Sequence, residues 1–143
     1  GGADDDYVAG EQDDDELYGN EGVDWLWGGS GADSMDGGDG DDHLIGESGF
    51  DLLTGGLGAD IFEFRSMADI GDRILDFNGG EGDRIDVSLL LAERNYLGAD
   101  PFAEGRLTLA QSGADVLFRF DGSLIVTFGT TTLAQLGDDH FIA

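Results

Sequence analysis

Over the first 63 residues one apolar position returns every nine: Val8, Leu17, Leu26, Met35, Leu44, Leu53 and Phe62. Two other positions keep step with it. A glycine stands seven residues before each apolar residue, and an aspartate two before, through seven consecutive units without a slip. Chance does not hold three positions in phase over that length, so the period is structural.

Each position of the unit has a physical task. Glycine at position 1, often at 2 and usually at 4 permits positive φ and close backbone approach, so the first six residues predict a tight turn. Positions 7 to 9 then predict three extended residues. Side chains alternate along a strand, so position 8 faces inward while 7 and 9 face out. A turn plus a short strand is half of a coil. Two units close one, with odd units stacked in one sheet and even units in the other.

Past Glu63 the nine-residue phase stops. Asp72-Arg73-Ile74-Leu75-Asp76-Phe77 and Asp83-Arg84-Ile85-Asp86-Val87-Ser88 alternate polar with apolar, as half-buried strands do. Ser88 followed by Leu89-Leu90-Leu91-Ala92-Glu93-Arg94 predicts a short capped helix, and 97–104, with Pro101, a loop. Strands are predicted over 106–110, 115–120 and 124–128, the last two joined by an Asp121-Gly122 hairpin turn. The predicted fold is therefore all-β: a right-handed parallel β-roll, a solenoid of nonapeptide repeats, over 1–63, followed by an antiparallel β capping region over 64–143. An open roll needs such a cap to cover its unpaired strand groups.

Charge sharpens this division. The chain of 143 residues carries a formal net charge of −26 with no lysine, and all six arginines lie beyond residue 63. Such a surplus excludes nucleic acid as a partner, since counterion release needs a Lys/Arg stripe, and it opposes binding to anionic membranes. No apolar run approaches a membrane span, and the opening Gly1-Gly2-Ala3-Asp4 lacks the form of a signal peptide. It begins inside a repeat series, as a cut fragment would. With no cysteine, something other than disulfides must cross-link the fold if it is secreted.

The acidic positions supply a candidate. In the predicted roll, Asp6, Asp24, Asp42 and Asp60 stack along one edge and Asp15, Asp33 and Asp51 along the other. Carboxylates at strand spacing, about 4.8 Å, repel strongly. A hard divalent cation between successive turns removes the conflict, taking carboxylates and turn carbonyls as an all-oxygen shell, which is the preference of calcium. Candidate carbonyls belong to Gly19, Gly22, Gly28, Gly29, Gly31, Gly37, Gly38, Gly40, Gly46, Gly49, Gly55, Gly56 and Gly58. The gaps along the two rails make about five calcium sites. Asp69, Asp72 and Asp76 either complete one more beside the last turn or are loop and strand surface.

Gly28-Gly29-Ser30-Gly31-Ala32-Asp33 and Gly55-Gly56-Leu57-Gly58-Ala59-Asp60 are complete copies of the calcium-binding unit of the RTX family, which residues 19–63 resemble most closely. The first two units depart from it, with Asp4 and Asp13 in place of the fourth-position glycine. The segment 55–88 is also similar to the C-terminal segment of serralysin-type metalloproteases, alginate epimerase calcium modules and other type I secretion substrates. That resemblance implies that this segment closes the roll and that the acidic-then-apolar tail, Leu133 to Ala143, carries an export signal.

Catalysis finds no motif. There is no HExxH and no cysteine nucleophile, and of two histidines His43 faces outward on a strand while His140 lies near the end. The outward positions of the odd strands are less expected: Tyr7, Trp25, His43 and Ile61 at position 7, and Ala9, Trp27, Ile45 and Glu63 at position 9. An exposed aromatic row of this kind, with Tyr7, Trp25 and Trp27 as surface binding candidates, asks for a cover. Candidates are the chain's own cap, a flanking domain, a second copy, or a stacked polysaccharide.

The expected function is that of a non-catalytic, calcium-binding C-terminal module of a secreted bacterial protein. Its partners are calcium, the type I secretion apparatus and upstream domains; it folds on meeting calcium outside the cell and stabilises its parent. Two alternatives stand beside it: a polysaccharide-binding module of an extracellular enzyme, and a calcium-dependent adhesin or surface-layer segment at the cell surface.

Overall fold

The structure, a computed structural model, describes residues 1–129, 131–132 and 134–142. Leu133 and Ala143 of the expected export signal lie outside the described residues. Strands β1 (Tyr7–Gln12), β3 (Trp25–Ser30), β5 (His43–Ser48) and β7 (Ile61–Glu63) stack in parallel in one sheet; β2 (Glu16–Glu21), β4 (Ser34–Asp39) and β6 (Leu52–Leu57) do so in the other. Trp25 pairs with His43 and Ser34 with Leu52, so each coil advances the chain by two repeat units. This is the parallel β-roll that the period predicts.

Strands β1 to β6 are longer than the three residues predicted. Each runs on through positions 1 to 3 of the next unit, so that the turn proper is only positions 4 to 6, and pairing continues there, as between Gly38 and Gly56. A residue with positive φ at position 2 makes this path possible. It is Gly29, Gly38 or Gly56 in the regular units, but Glu11, Asn20 and Glu47 adopt the same left-handed region.

The roll does not stop where the period stops. β8 (Asp72–Ile74) adds to β6 and β9 (Arg84–Asp86) adds to β7, both in parallel. Alternation over 72–77 and 83–88 predicts longer, antiparallel strands; the structure has three-residue strands that extend the roll. Each keeps the Asp, any residue, apolar triplet of a repeat, behind a lengthened loop. The antiparallel part of the cap is β10 (Leu107–Ser112), β11 (Asp115–Phe120) and β12 (Ser123–Phe128), with Asp121 and Gly122 both at positive φ in the β11–β12 turn. β12 lies parallel beside β8, and β13 (Phe141–Ile142) beside β9, which ties the cap to both sheets. A bidentate Arg73–Asp115 pair, 2.9 and 3.3 Å, adds a link from β8 to β11.

The core follows the repeat. Leu26, Met35, Leu44, Leu53 and Phe62 are fully buried, one per strand, and Ile74 and Ile85 continue the column. The bulk of the aromatic core lies in the cap, around Phe64, Phe77, Phe118, Phe120 and Phe128. The helix α1 (Ser88–Glu93) closes that end with Leu90 and Leu91. Ser88 does not cap it: Val87 holds the cap position, and the Ser88 N–H donates to Asp86 Oδ1 at 2.9 Å.

Candidate metal centre

Each repeat aspartate sits at the end of its turn, and its two oxygens have different fates. From Asp24 on, Oδ1 reaches back one coil and accepts the main-chain N–H of the preceding aspartate on the same rail. On one rail Asp6 donates to Asp24, Asp24 to Asp42 and Asp42 to Asp60, at 2.7–2.9 Å. On the other Asp15 donates to Asp33 and Asp33 to Asp51, each at 2.9 Å. Where position 5 is also aspartate, a second bond runs the other way: Asp14 Oδ1 accepts from Ala32 N and Asp41 Oδ1 from Ala59 N, both at 2.8 Å.

Oδ2 has no such partner. The Oδ2 atoms of Asp15, Asp24, Asp33, Asp42, Asp51, Asp60 and Asp72 are buried and accept no hydrogen bond. A buried carboxylate oxygen left in this state costs free energy, on the order of 1–3 kcal/mol or more. Those from Asp15 to Asp60 face the position-1 glycines. A Cβ on Gly28 would lie 2.5 Å from Asp33 Oδ2 and 2.8 Å from the carbonyl of Gly46; one on Gly10 would lie 2.6 Å from Asp15 Oδ2 and 2.7 Å from the carbonyl of Gly28. Glycine therefore keeps open a cradle lined by a carboxylate oxygen and a carbonyl from the next coil.

Electrostatics agree. Burial raises the carboxyls of Asp33, Asp42 and Asp83, and it pushes Asp51 up to about 6, Asp60 to about 7 and Asp72 to about 8. The main-chain N–H bond at each works against this rise, and neighbouring carboxylates add to it. Among the described residues no three His, Cys, Asp or Glu side chains converge. A cation here would draw on one or two carboxylates and on main-chain carbonyls, an oxygen-only donor set that fits calcium.

The residues beyond the repeats separate into two kinds. Asp72 is a rail residue: its Oδ1 accepts from Asp51 N at 3.0 Å. Asp69 and Asp76 are engaged otherwise. Asp69 accepts from Arg65 N, Ser66 N and Ser66 Oγ, and Asp76 from Gly55 N and Gly56 N. Asp83, which sequence reasoning left out, is the last rung of the other rail, accepting from Asp60 N at 3.1 Å and from Asn78 N at 2.7 Å. Its signal was the Asp83-Arg84-Ile85 triplet, which repeats Asp60-Ile61-Phe62.

The aromatic row is partly covered from within. Arg65 stacks over Trp27 at 4.7 Å and pairs with Glu63 at 2.9 Å and Glu47 at 3.8 Å, so it arches across β5. Ile45 and Glu63, expected to face solvent, are buried beneath it. His43 lies 4.1 Å from the Trp25 ring and 2.7 Å from Glu63. Tyr7 and Trp25 remain 62% and 45% exposed.

A roll of glycine-aspartate nonapeptides with paired carboxylate rails defines a class, and comparison with known proteins agrees: the model of the RTX calcium-binding nonapeptide repeat matches residues 1–35 and 36–66. The chain belongs to this calcium-binding family. Among solved structures it is similar to the AlgE6R2 subunit of the Azotobacter vinelandii mannuronan C5-epimerase, with 30% identity over 96% of this chain and 92% of that one, and a TM-score of 0.64. The AlgE6R3 subunit of the same enzyme is also 30% identical, over 92% of this chain and 78% of that one, with a TM-score of 0.47. No curated protein matches the chain. No described helix is long and apolar enough to cross a membrane.

Proposed function

We propose that the chain is a non-catalytic module of a secreted protein that folds when it meets calcium outside the cell, following type I export, and thereby stabilises its parent. The observation that carries this reading is the row of buried, unpartnered Oδ2 atoms, those from Asp15 to Asp60 each beside a glycine-lined opening. Residues 1–63 form the repeat unit of the module and 64–143 the cap, whose tail bears the export signal.

Bound calcium supplies a hard divalent charge that neutralises the rails. Without it, every added coil brings another aspartate into a buried row, and one apolar residue per strand offsets little of the chain entropy lost. Folding then waits for free calcium above roughly 10⁻⁴–10⁻³ M, the range of extracellular modules, so the chain stays unfolded and threadable in a cytosol. Asp72 and Asp83 lengthen the rails to seven aspartate-to-aspartate steps, against the five that the repeats alone suggest. Circular dichroism in EDTA and then in calcium tests the proposal: a full β spectrum that ignores chelation rejects it.

The exposed rings of Tyr7 and Trp25 favour a second reading, in which an uncharged polysaccharide stacks on the outer face of the β1–β3 sheet. The acidic surface opposes a polyanionic one. Quenching or shielding of tryptophan fluorescence by a neutral oligosaccharide supports this reading, and an unchanged signal removes it.

A further inference from the structure

The loop between β8 and β9 is anchored at one end by Phe77, packed against Phe62 and Phe128, and closed at the other by Asp83. Between them stands Asn78-Gly79, the one Asn-Gly step in the sequence, with Asn78 and Gly80 exposed.

An asparagine side chain can be attacked by the main-chain nitrogen that follows it. That nitrogen bonds to Cγ, the Cγ–Nδ2 bond breaks, and Nδ2 leaves as ammonia with the proton that the main-chain nitrogen gives up. The product is a cyclic succinimide, which water opens at either carbonyl to aspartate or isoaspartate. A side chain on the following residue hinders the attack, so glycine permits it best.

Three features place Asn78 for this reaction. Its Oδ1 accepts the Gly80 N–H at 3.1 Å. The ring closed by that bond contains both Asn78 Cγ and the Gly79 nitrogen, so the reacting atoms are folded toward each other while the bond draws electron density from Cγ. The Gly79 N–H donates to no acceptor among the described residues, which leaves its nitrogen unengaged. The glycine itself is fixed by packing. It has no positive φ, but a Cβ there would lie 2.2 Å from His140 Nε2 and 2.5 Å from Cδ2 of the same ring, which stands edge-on to Phe77 at 5.9 Å. The tail of the cap thus requires at 79 the residue that makes Asn78 labile.

We infer that Asn78 is a self-modification site of the folded module, converting to isoaspartate and aspartate, and that this conversion loosens the Asp60–Asp83 rung. The link is direct: Asn78 N donates to Asp83 Oδ2 at 2.7 Å, and Asp83 Oδ1 holds Asp60 N at 3.1 Å. Isoaspartate routes the main chain through Cβ and Cγ, which lengthens this turn by a carbon and takes from Gly80 its acceptor.

For the test, the module is held folded in calcium at neutral pH beside a synthetic peptide of residues 74–84, and both are sampled until the peptide is half converted. Peptide mapping by mass spectrometry, with isoaspartyl methyltransferase labelling the rearranged product, finds conversion at Asn78 and none at Asn20 or Asn95, which precede Glu21 and Tyr96. Asn78→Gln, exposed and too long in the arm for the same ring, loses the methyltransferase signal. The converted fraction, separated by its added negative charge, melts below the unconverted one. An intact Asn78 at that time overturns the inference, as does a signal that persists in Asn78→Gln. Equal melting of the two fractions overturns the loosening of the rung.

Discussion

The main-chain N–H of Asp15 donates to Oδ1 of Asp33 at 2.9 Å, one coil along the roll, and leaves Oδ2 of Asp33 buried without a partner. One carboxylate thus does two jobs. Oδ1 zips the coils together, and Oδ2 makes the closed form unfavourable until a cation neutralises it. The two can be separated by mutation.

Asp33→Asn keeps an acceptor for the Asp15 N–H and removes the charge. The calcium-free form should become easier to fold, and the calcium-bound form should lose about 1–3 kcal/mol, the scale of a charged hydrogen-bonded group. Asp33→Ala should weaken both forms. Asp36→Ala, on the outer side of β4, should stay within about 0.5 kcal/mol of wild type in both. The β content in EDTA, read by circular dichroism, and urea unfolding in calcium report on all three; equal effects of the two Asp33 variants in EDTA would contradict the division of labour.

Gly28→Ala places a methyl 2.5 Å from Asp33 Oδ2 and 2.8 Å from the Gly46 carbonyl, inside the cradle. Calcium titrations followed by circular dichroism should show a higher midpoint. Gly113→Ala, at φ 67° with nothing within 4 Å, is the control and should cost only about 1–2 kcal/mol for its left-handed backbone.

The rail carboxyls make the metal-free fold depend on pH. Burial holds Asp51 at about 6, Asp60 at about 7 and Asp72 at about 8, all above the ordinary value of 3.8. The unfolded chain therefore releases its protons first, so stability is greatest below about 4 on this account and falls as pH rises toward 8. The β content that circular dichroism reads in EDTA should be higher at pH 5 than at pH 8. Calcium binding near pH 7 should release protons, seen as a buffer-dependent enthalpy in calorimetry.

Arg65→Ala should uncover Trp27 and Ile45. Acrylamide quenching of tryptophan fluorescence, with Trp25 already accessible, should become more complete. The loss of the cation–π contact and of the ion pairs to buried Glu63 and partly exposed Glu47 should lower stability by roughly 1–3 kcal/mol. Unchanged quenching would mean that Arg65 does not cover the sheet in solution.

The repeat phase made much of this legible. Gly1, Asp6 and Val8 and their equivalents predict stacked coils, the assignment of odd and even strands to two sheets, and two rows of aspartates. Four things escaped it. The strands run through positions 1 to 3, because ladder pairing carries on wherever position 2 can take positive φ, even as Glu11 or Glu47. Asp72 and Asp83 join the rails across longer loops, since only the short Asp-to-apolar triplet must match for a strand to stack. Position 9 on β5 and β7 is buried because Arg65, outside the repeat, folds back over it. Ser88 is the first helical residue rather than the cap, because the first helical bond runs from Leu91 N to the carbonyl of Val87.

The sequence by itself determined the period, the spacing of the carboxylates and their oxygen chemistry, since these follow from local geometry that every unit repeats. Only the tertiary structure decided which oxygen of each aspartate is spent on the neighbouring coil, which is left buried for a cation, and where the rails end. Those outcomes depend on contacts between residues eighteen or more positions apart, and loops of unequal length can bring such residues together without leaving a period behind.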